Sequence, residues 1–327
     1  RGSYDDTQFY GVGAFLLAAT AVADLDLKPG KDLTVQAPRA PAQAVLNVQD
    51  GGVLKDKVLQ GGIFHQRNSF TVPADHFIHD GLLAFEGGGW VSDLVAYRLY
   101  LDERMAVDIF GKKTPGPVLD KIGQGVDNYH DMAPWGMDIF KVGNTVGVGG
   151  IGRLRDGKAG QLGASTIHAE VVESGRDAAS VEVVNTGLSG GKSNLRARYS
   201  IRRGSTLTRV AAVGDSQGGP LLTGLVKHDG VEVIASPPGV DGWAYLATYG
   251  KQSLANDGLG IAVFYRPSAV LGAPGDDGNS VFVTFKDPTR IDYAFGTAWV
   301  QDQQGVKDLA AFKSWLGARK AELDAGR

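Results

Sequence analysis

The sequence predicts an all-β fold of antiparallel strands packed as a sandwich, with a helix at either end. Three observations lead there. From about residue 43 onward apolar side chains recur with a period of two, the spacing of half-buried strands. The 47 glycines, about twice the usual share, fall between short apolar runs, where tight turns need them. No helical pattern alternates with the strands, which argues against a parallel α/β arrangement.

Taken in order, residues 11–25, GVGAFLLAATAVADL, are rich in helix formers and apolar on nearly every face. Such a helix must be buried or packed against a partner. Lys28-Pro29-Gly30 stops it, and the proline-punctuated QAPRAPA of residues 36–42 reads as extended chain. Strands are expected over residues 45–48, 82–85, 94–101, 181–184, 195–201, 207–213, 261–265, 281–285 and 293–300. The glycine run 146–152 has no following helix pattern and no ribose-binding acid, so it reads as strand–turn–strand rather than a dinucleotide loop. Residues 306–323 place Leu309, Phe312, Trp315 and Leu316 on one face of an amphipathic closing helix. The organisation expected is a helical segment (1–35), a linker (36–44) and a β-sandwich (45–327).

Composition narrows the function. With 43% hydrophobic and 21% charged residues the chain is an ordinary folded soluble protein. The net charge of −3 and the absence of a Lys/Arg stripe argue against a nucleic-acid partner. No stretch reaches the roughly 18–20 apolar residues of a spanning helix, so no membrane partner is expected. There is no cysteine, which removes disulfides, thiol catalysis and cysteine metal sites and agrees with export.

Two segments carry a resemblance. Residues 5–25, DDTQFYGVGAFLLAATAVADL, resemble the closing helix of unsaturated glucuronyl and rhamnogalacturonyl hydrolases, which are α/α-barrel enzymes. Residues 93–113, DLVAYRLYLDERMAVDIFGKK, and 129–152, YHDMAPWGMDIFKVGNTVGVGGIG, resemble a bacterial domain-of-unknown-function family found beside or fused to those hydrolases in polysaccharide-degradation clusters. The likeness spans 45–323. The acidic-asparagine pair usual before the first block is here Glu86-Gly87-Gly88-Gly89-Trp90, then Asp93. The resemblance implies a galactose-mutarotase-like super-sandwich whose concave sheet receives sugars, a periplasmic or secreted location, an oligosaccharide substrate and an α/α-barrel hydrolase as partner domain or subunit.

Residue chemistry supplies the candidate site. Alternation puts Arg98, Tyr100 and Asp102 on one face of a strand, with Tyr97, Leu99 and Leu101 on the other. A guanidinium fork beside a phenol and a carboxylate suits recognition of a uronate carboxylate; a surface Arg–Asp pair is the alternative. Tyr129 and His130 suit proton abstraction next to a carboxylate and protonation of a leaving oxygen. Trp135 offers a platform for a sugar ring, with Asp138 and Lys141 following, although loop packing explains Trp135 equally well. His228, at a strand end before Asp229-Gly230, is expected either to face the same cavity as His130 or to mark a hairpin tip. His76-x-x-His79-Asp80 has metal-compatible spacing without an obvious third ligand, so it reads as a turn or as sugar hydrogen bonding. Arg196 and Arg198 share a face, as an anion groove or an exposed polar surface. No cofactor or metal is called for.

The reading that results is a carbohydrate-active enzyme acting on uronic-acid-containing oligosaccharides. Elimination is favoured over hydrolysis, which needs two carboxylates facing across a bond. The catalytic residues expected are Tyr129, His130 and His228; those expected to bind substrate are Arg98, Tyr100, Asp102, Trp135, Asp138 and Lys141. The alternatives are a non-catalytic carbohydrate-binding or scaffolding domain of an unsaturated uronyl hydrolase, or a sugar mutarotase or epimerase.

Overall fold

The structure is a computed structural model and describes residues 40–124, 128–237, 239 and 241–326. The expected N-terminal helix and most of the linker lie outside the described residues, as does any question of what they pack on.

Antiparallel pairing dominates the described chain. A nine-stranded sheet runs in the order Glu232–Ala235, Ala244–Gly250, Leu259–Tyr265, Ile291–Trp299, Leu207–Gly214, Ser193–Arg202, Ala178–Gly187, Thr166–Ser174, Ser69–Thr71. A five-stranded meander follows chain order: β1 (Gln43–Val45), β2 (Gly87–Val91), β3 (Val95–Tyr100), β4 (Val107–Lys112) and β5 (Gly136–Asp138). Another five-stranded sheet is built on Val148–Arg155, Leu221–Val226 and Ser280–Thr284.

Both five-stranded sheets pack on the nine-stranded one. From the meander, Trp90 stacks on Tyr199 at 5.1 Å and donates its indole N–H to Thr208 Oγ1 at 2.8 Å. Tyr97 meets Phe295 edge-on at 5.2 Å and donates its hydroxyl to the Thr206 carbonyl at 2.8 Å. From the other sheet, the Tyr293 hydroxyl donates to the Gly149 carbonyl at 2.6 Å. Gly149, at φ +70°, lies where a Cβ would sit 2.4 Å from the Phe295 ring. The glycine run is thus a close approach of backbone to core, as its pattern suggested.

The closing helix α1 spans Leu309–Asp324, with Asp308 as N-cap accepting from the Ala311 N–H. Phe312, Trp315 and Leu316 are buried against Ala247, Ala262, Phe264 and Ala298 on the far face of the nine-stranded sheet. Gly260 leaves room for the Phe312 ring, which a Cβ there would meet at 2.2 Å. The molecule is therefore an all-β sandwich with a C-terminal helix.

Two expected strands differ. Residues 45–48 break at Leu46 into β1 and a separate short strand, Asn47–Asp50. Residues 82–85 are not a strand: a single bridge joins Leu83 to Val48, and Ala84–Glu86 then form one 3-10 turn. The reason is backbone geometry. Phe85 (φ 41°) and Glu86 (φ 64°) occupy the left-handed region, and the Phe85 N–H bonds to the distant Gly123 carbonyl.

Candidate functional site

Strand β3 divides its side chains as alternation requires. Tyr97 and Leu99 enter the main core, while Ala96, Arg98 and Tyr100 face the opposite side of the meander. The segment after β4 crosses that side and lays Val118, Leu119 and Ile122 over Ala96, Phe110 and Phe85. Gly136 opens β5 so close to β4 that a Cβ would stand 1.7 Å from the Gly111 carbonyl oxygen, at φ +134°. The Asp138 N–H then bonds the Tyr129 carbonyl at 2.8 Å, which fixes the Tyr129-His130 turn over the sheet.

These constraints gather Arg98, Tyr100, Asp108, Tyr129, His130 and Asp138 into one hydrogen-bonded network. Arg98 is 2% exposed. Its Nη2 donates to Asp108 Oδ2 and Asp138 Oδ2, both at 2.6 Å, and to Tyr100 Oη at 2.9 Å. Its Nε reaches Asp108 at 3.1 Å, and its Nη1 reaches Tyr129 Oη at 3.2 Å. Tyr100 donates to Asp108 Oδ2 at 2.6 Å. His130 Nδ1 stands 3.2 Å from Asp138 Oδ2, with the imidazole about half exposed.

Donor and acceptor roles decide which groups remain open. Arginine has only donors, so the Tyr129 oxygen accepts from Arg98 and its own O–H is directed elsewhere. His130 gives Nδ1–H to Asp138, leaving Nε2 without a partner among the described residues. Tyr100, by contrast, both accepts and donates inside the network. The Tyr129 and His130 rings are 4.4 Å apart, centre to centre.

The electrostatics follow from the same contacts. The hydrogen bond and charge of Asp138 raise the His130 pKa above the ordinary histidine value, against burial. Burial pushes the Tyr129 phenol up despite Arg98, which keeps it protonated. Burial and the neighbouring Asp138 raise Asp108 above the usual carboxylate range, while Arg98 opposes them.

Tyr100 links this network to a second one. The Arg104 guanidinium lies 3.7 Å from the Tyr100 ring centre and binds Asp102 and Glu86. Glu86 also meets His79 Nδ1 at 3.0 Å. His79, Phe85, Glu86 and Met105 all have positive φ, so backbone strain concentrates around these charges.

Several sequence expectations change at this point. Arg98 and Asp138 are buried with their charges committed to one another, so Arg98 organises the site from beneath and has no free fork for a substrate carboxylate. Asp102 is buried under Arg104. Trp135 is half-buried on Phe110, rings 6.3 Å apart, as loop packing would have it. His228 meets Phe140 edge-on at 5.4 Å and bonds the Lys141 backbone, and burial lowers its pKa. Its described contacts do not include the Tyr129–His130 pair, and the Lys141 side chain is exposed beside His228 instead. Arg196 and Arg198 are exposed and share Glu182.

Sequence reasoning missed Asp108, although an aspartate inside the apolar run Val107–Phe110 is the kind of exception that marks a buried partner. It also missed Lys112, fully buried, whose Nζ donates to the Ser92 carbonyl at 2.5 Å. Among the described residues no group of three or more His, Asp or Glu is placed to hold a metal ion. No described helix is long and apolar enough to cross a membrane.

Residues 17–325 match the family described as a domain of unknown function, DUF4861, and the chain belongs to that family. No curated protein matches the chain.

Proposed function

We propose that this member of the family is a carbohydrate-active enzyme that transfers protons at a uronic-acid-containing oligosaccharide, with His130 as base and Tyr129 as acid. One observation carries the reading: the network's groups are bonded to one another except Tyr129 O–H and His130 Nε2, which have no partner among the described residues and sit on rings 4.4 Å apart. A neutral imidazole oriented by a buried carboxylate accepts a proton, and a phenol held neutral by burial donates one.

Elimination uses that pair directly. His130 Nε2 takes the proton from the carbon beside the uronate carboxylate, and the C–H electrons form a carbon–carbon double bond. The bond to the leaving glycosidic oxygen breaks, and Tyr129 protonates that oxygen. Arg98 acts through Tyr129 and Asp138 as a positioning residue. Hydrolysis is less well served, because Asp108 and Asp138 are both buried on Arg98 rather than opposed across open space.

The test incubates the protein with saturated and unsaturated uronic oligosaccharides, following enol-ether absorbance and product masses. New absorbance supports elimination. Loss of existing absorbance with gain of water supports hydrolysis, and binding without any product makes the chain a binding or scaffolding module; either outcome overturns the proposal.

A further inference from the structure

A second histidine–carboxylate pair lies outside the network just described. The loop between Thr71 and Leu82 folds on its own backbone hydrogen bonds: the His76 N–H bonds the Pro73 carbonyl at 3.1 Å, and the Asp80 N–H bonds that of Phe77 at 3.2 Å. The Asp80 carboxylate takes the Leu82 N–H on Oδ1 at 2.9 Å and the Phe77 N–H on Oδ2 at 3.3 Å. That leaves Asp80 Oδ2 facing His76 Nδ1 at 2.7 Å. Only 6% of the His76 side chain is exposed.

Its other ring nitrogen, Nε2, is buried and has no hydrogen-bond partner. A buried polar atom without a partner costs free energy, which a ligand group that supplies the hydrogen bond would recover. His76 also lines a cavity of about 1110 Å³. Pockets that take drug-sized ligands measure roughly 300–1,000 Å³, so this one has room for more than one sugar ring.

The lining selects the ligand. Thr71 and Thr186 bring hydroxyls and Glu103 a carboxylate, while the Asp102 carboxylate is held by Arg104. Phe77, 40% exposed, supplies an aromatic face of the kind that carries the C–H side of a pyranose. The exposed Glu103 carboxylate on the wall disfavours an anionic ligand and serves as an acceptor for hydroxyl groups. With Nδ1–H given to Asp80, Nε2 is an acceptor as well.

We infer that this cavity is a binding site for a neutral sugar unit, anchored by a hydroxyl donated to His76 Nε2. The site is separate from Tyr129 and His130, neither of which lines the cavity. It neighbours their network through Asp102, which lines the cavity while bound to Arg104.

The experiment is a two-dimensional NMR titration of the histidine ring resonances of the whole chain. The probes are glucose, galactose, mannose, rhamnose and xylose, with glucuronate and galacturonate alongside. At least one neutral sugar should shift the His76 ring saturably, and both uronates should leave it in place. His76→Ala should abolish binding of that sugar by calorimetry. Since His76 is buried, Ala74→Trp serves as a second variant: Ala74 is an exposed residue of the cavity wall, and an indole there should block entry while the fold persists. The inference is overturned if no neutral sugar moves His76, if uronates move it equally, if Ala74→Trp binds as the unaltered protein does, or if only the His130 ring responds.

Discussion

The two histidine–carboxylate pairs differ in which member is hidden. In His130–Asp138 the carboxylate is 1% exposed and the imidazole 54%, so a ring with an elevated pKa stands at the rim of a buried charge network. In His76–Asp80 both side chains are nearly enclosed, at 6% and 11%, and the unpartnered nitrogen is buried in a residue that lines a cavity. The same two residue types thus stand in two settings, an exposed ring on a charged network and an enclosed ring beside backbone donors. What separates them is the charge behind the carboxylate. Asp138 is backed by the Arg98 guanidinium, whereas Asp80 is backed by two backbone N–H groups.

The sharpest way to break this contrast is to remove the buried cation. Arg98→Met leaves Asp108 and Asp138 together without a counter-charge. Breaking one partner out of a buried ion pair costs about 3–5 kcal/mol, and the loss should appear in chemical denaturation as a large fall in midpoint. Asp80→Asn, by comparison, keeps the Leu82 N–H contact on its remaining oxygen, strands no second buried charge and should cost less. Equal losses would mean that the two pairs are built alike.

The catalytic half of the contrast comes next. His130→Gln and Tyr129→Phe should each lower turnover by about 10²–10⁴-fold, the usual worth of a positioned acid or base. For the exposed His130 the change in unfolding free energy should stay within about 0.5 kcal/mol. His76→Ala should leave turnover of a substrate confined to the first site unchanged.

A pH profile sharpens it further. As a base His130 works only when neutral, so activity should rise with pH along a limb lying above the ordinary histidine value of 6.5. Asp138→Asn removes the largest cause of that elevation and should move the limb toward acid. Stability has the opposite sign. A folded pKa raised above the unfolded one gives stabilisation that is complete below the unfolded value and lost as pH climbs through the folded one.

The smallest effect concerns Lys112, whose pKa burial pulls down to about 8 from 10.5, with Asp93 opposing. The unfolded chain holds that proton across the interval between these values and the folded chain does not. Stability should therefore rise with pH over that range, and Lys112→Met should flatten the rise in denaturation midpoints measured along it.

Much of this was legible in the sequence where the determinant is local. Alternation in β3 placed Tyr97 and Leu99 opposite Arg98 and Tyr100, and helical spacing placed Phe312, Trp315 and Leu316 together on α1. The proximity of Tyr129, His130 and Asp138 followed from their closeness along the chain. Where the determinant is distant the reading failed. The turn at Phe85 and Glu86 is set by Gly123, some forty residues on, whose φ of +70° and close approach to Phe85 no local pattern reveals. Arg98 read as an open clamp because the carboxylates that occupy it come from β4 and β5, and strand pairing alone brings them there. The cavity that His76 lines has walls from widely separated segments, which no local pattern reveals.

The most direct test follows enol-ether formation from saturated uronic oligosaccharides by the unaltered protein and by Tyr129→Phe and His130→Gln, with folding of each checked by circular dichroism. The account predicts product from the unaltered protein and a loss of at least about 10²-fold in both folded variants. Product formed at an undiminished rate by either variant would contradict it.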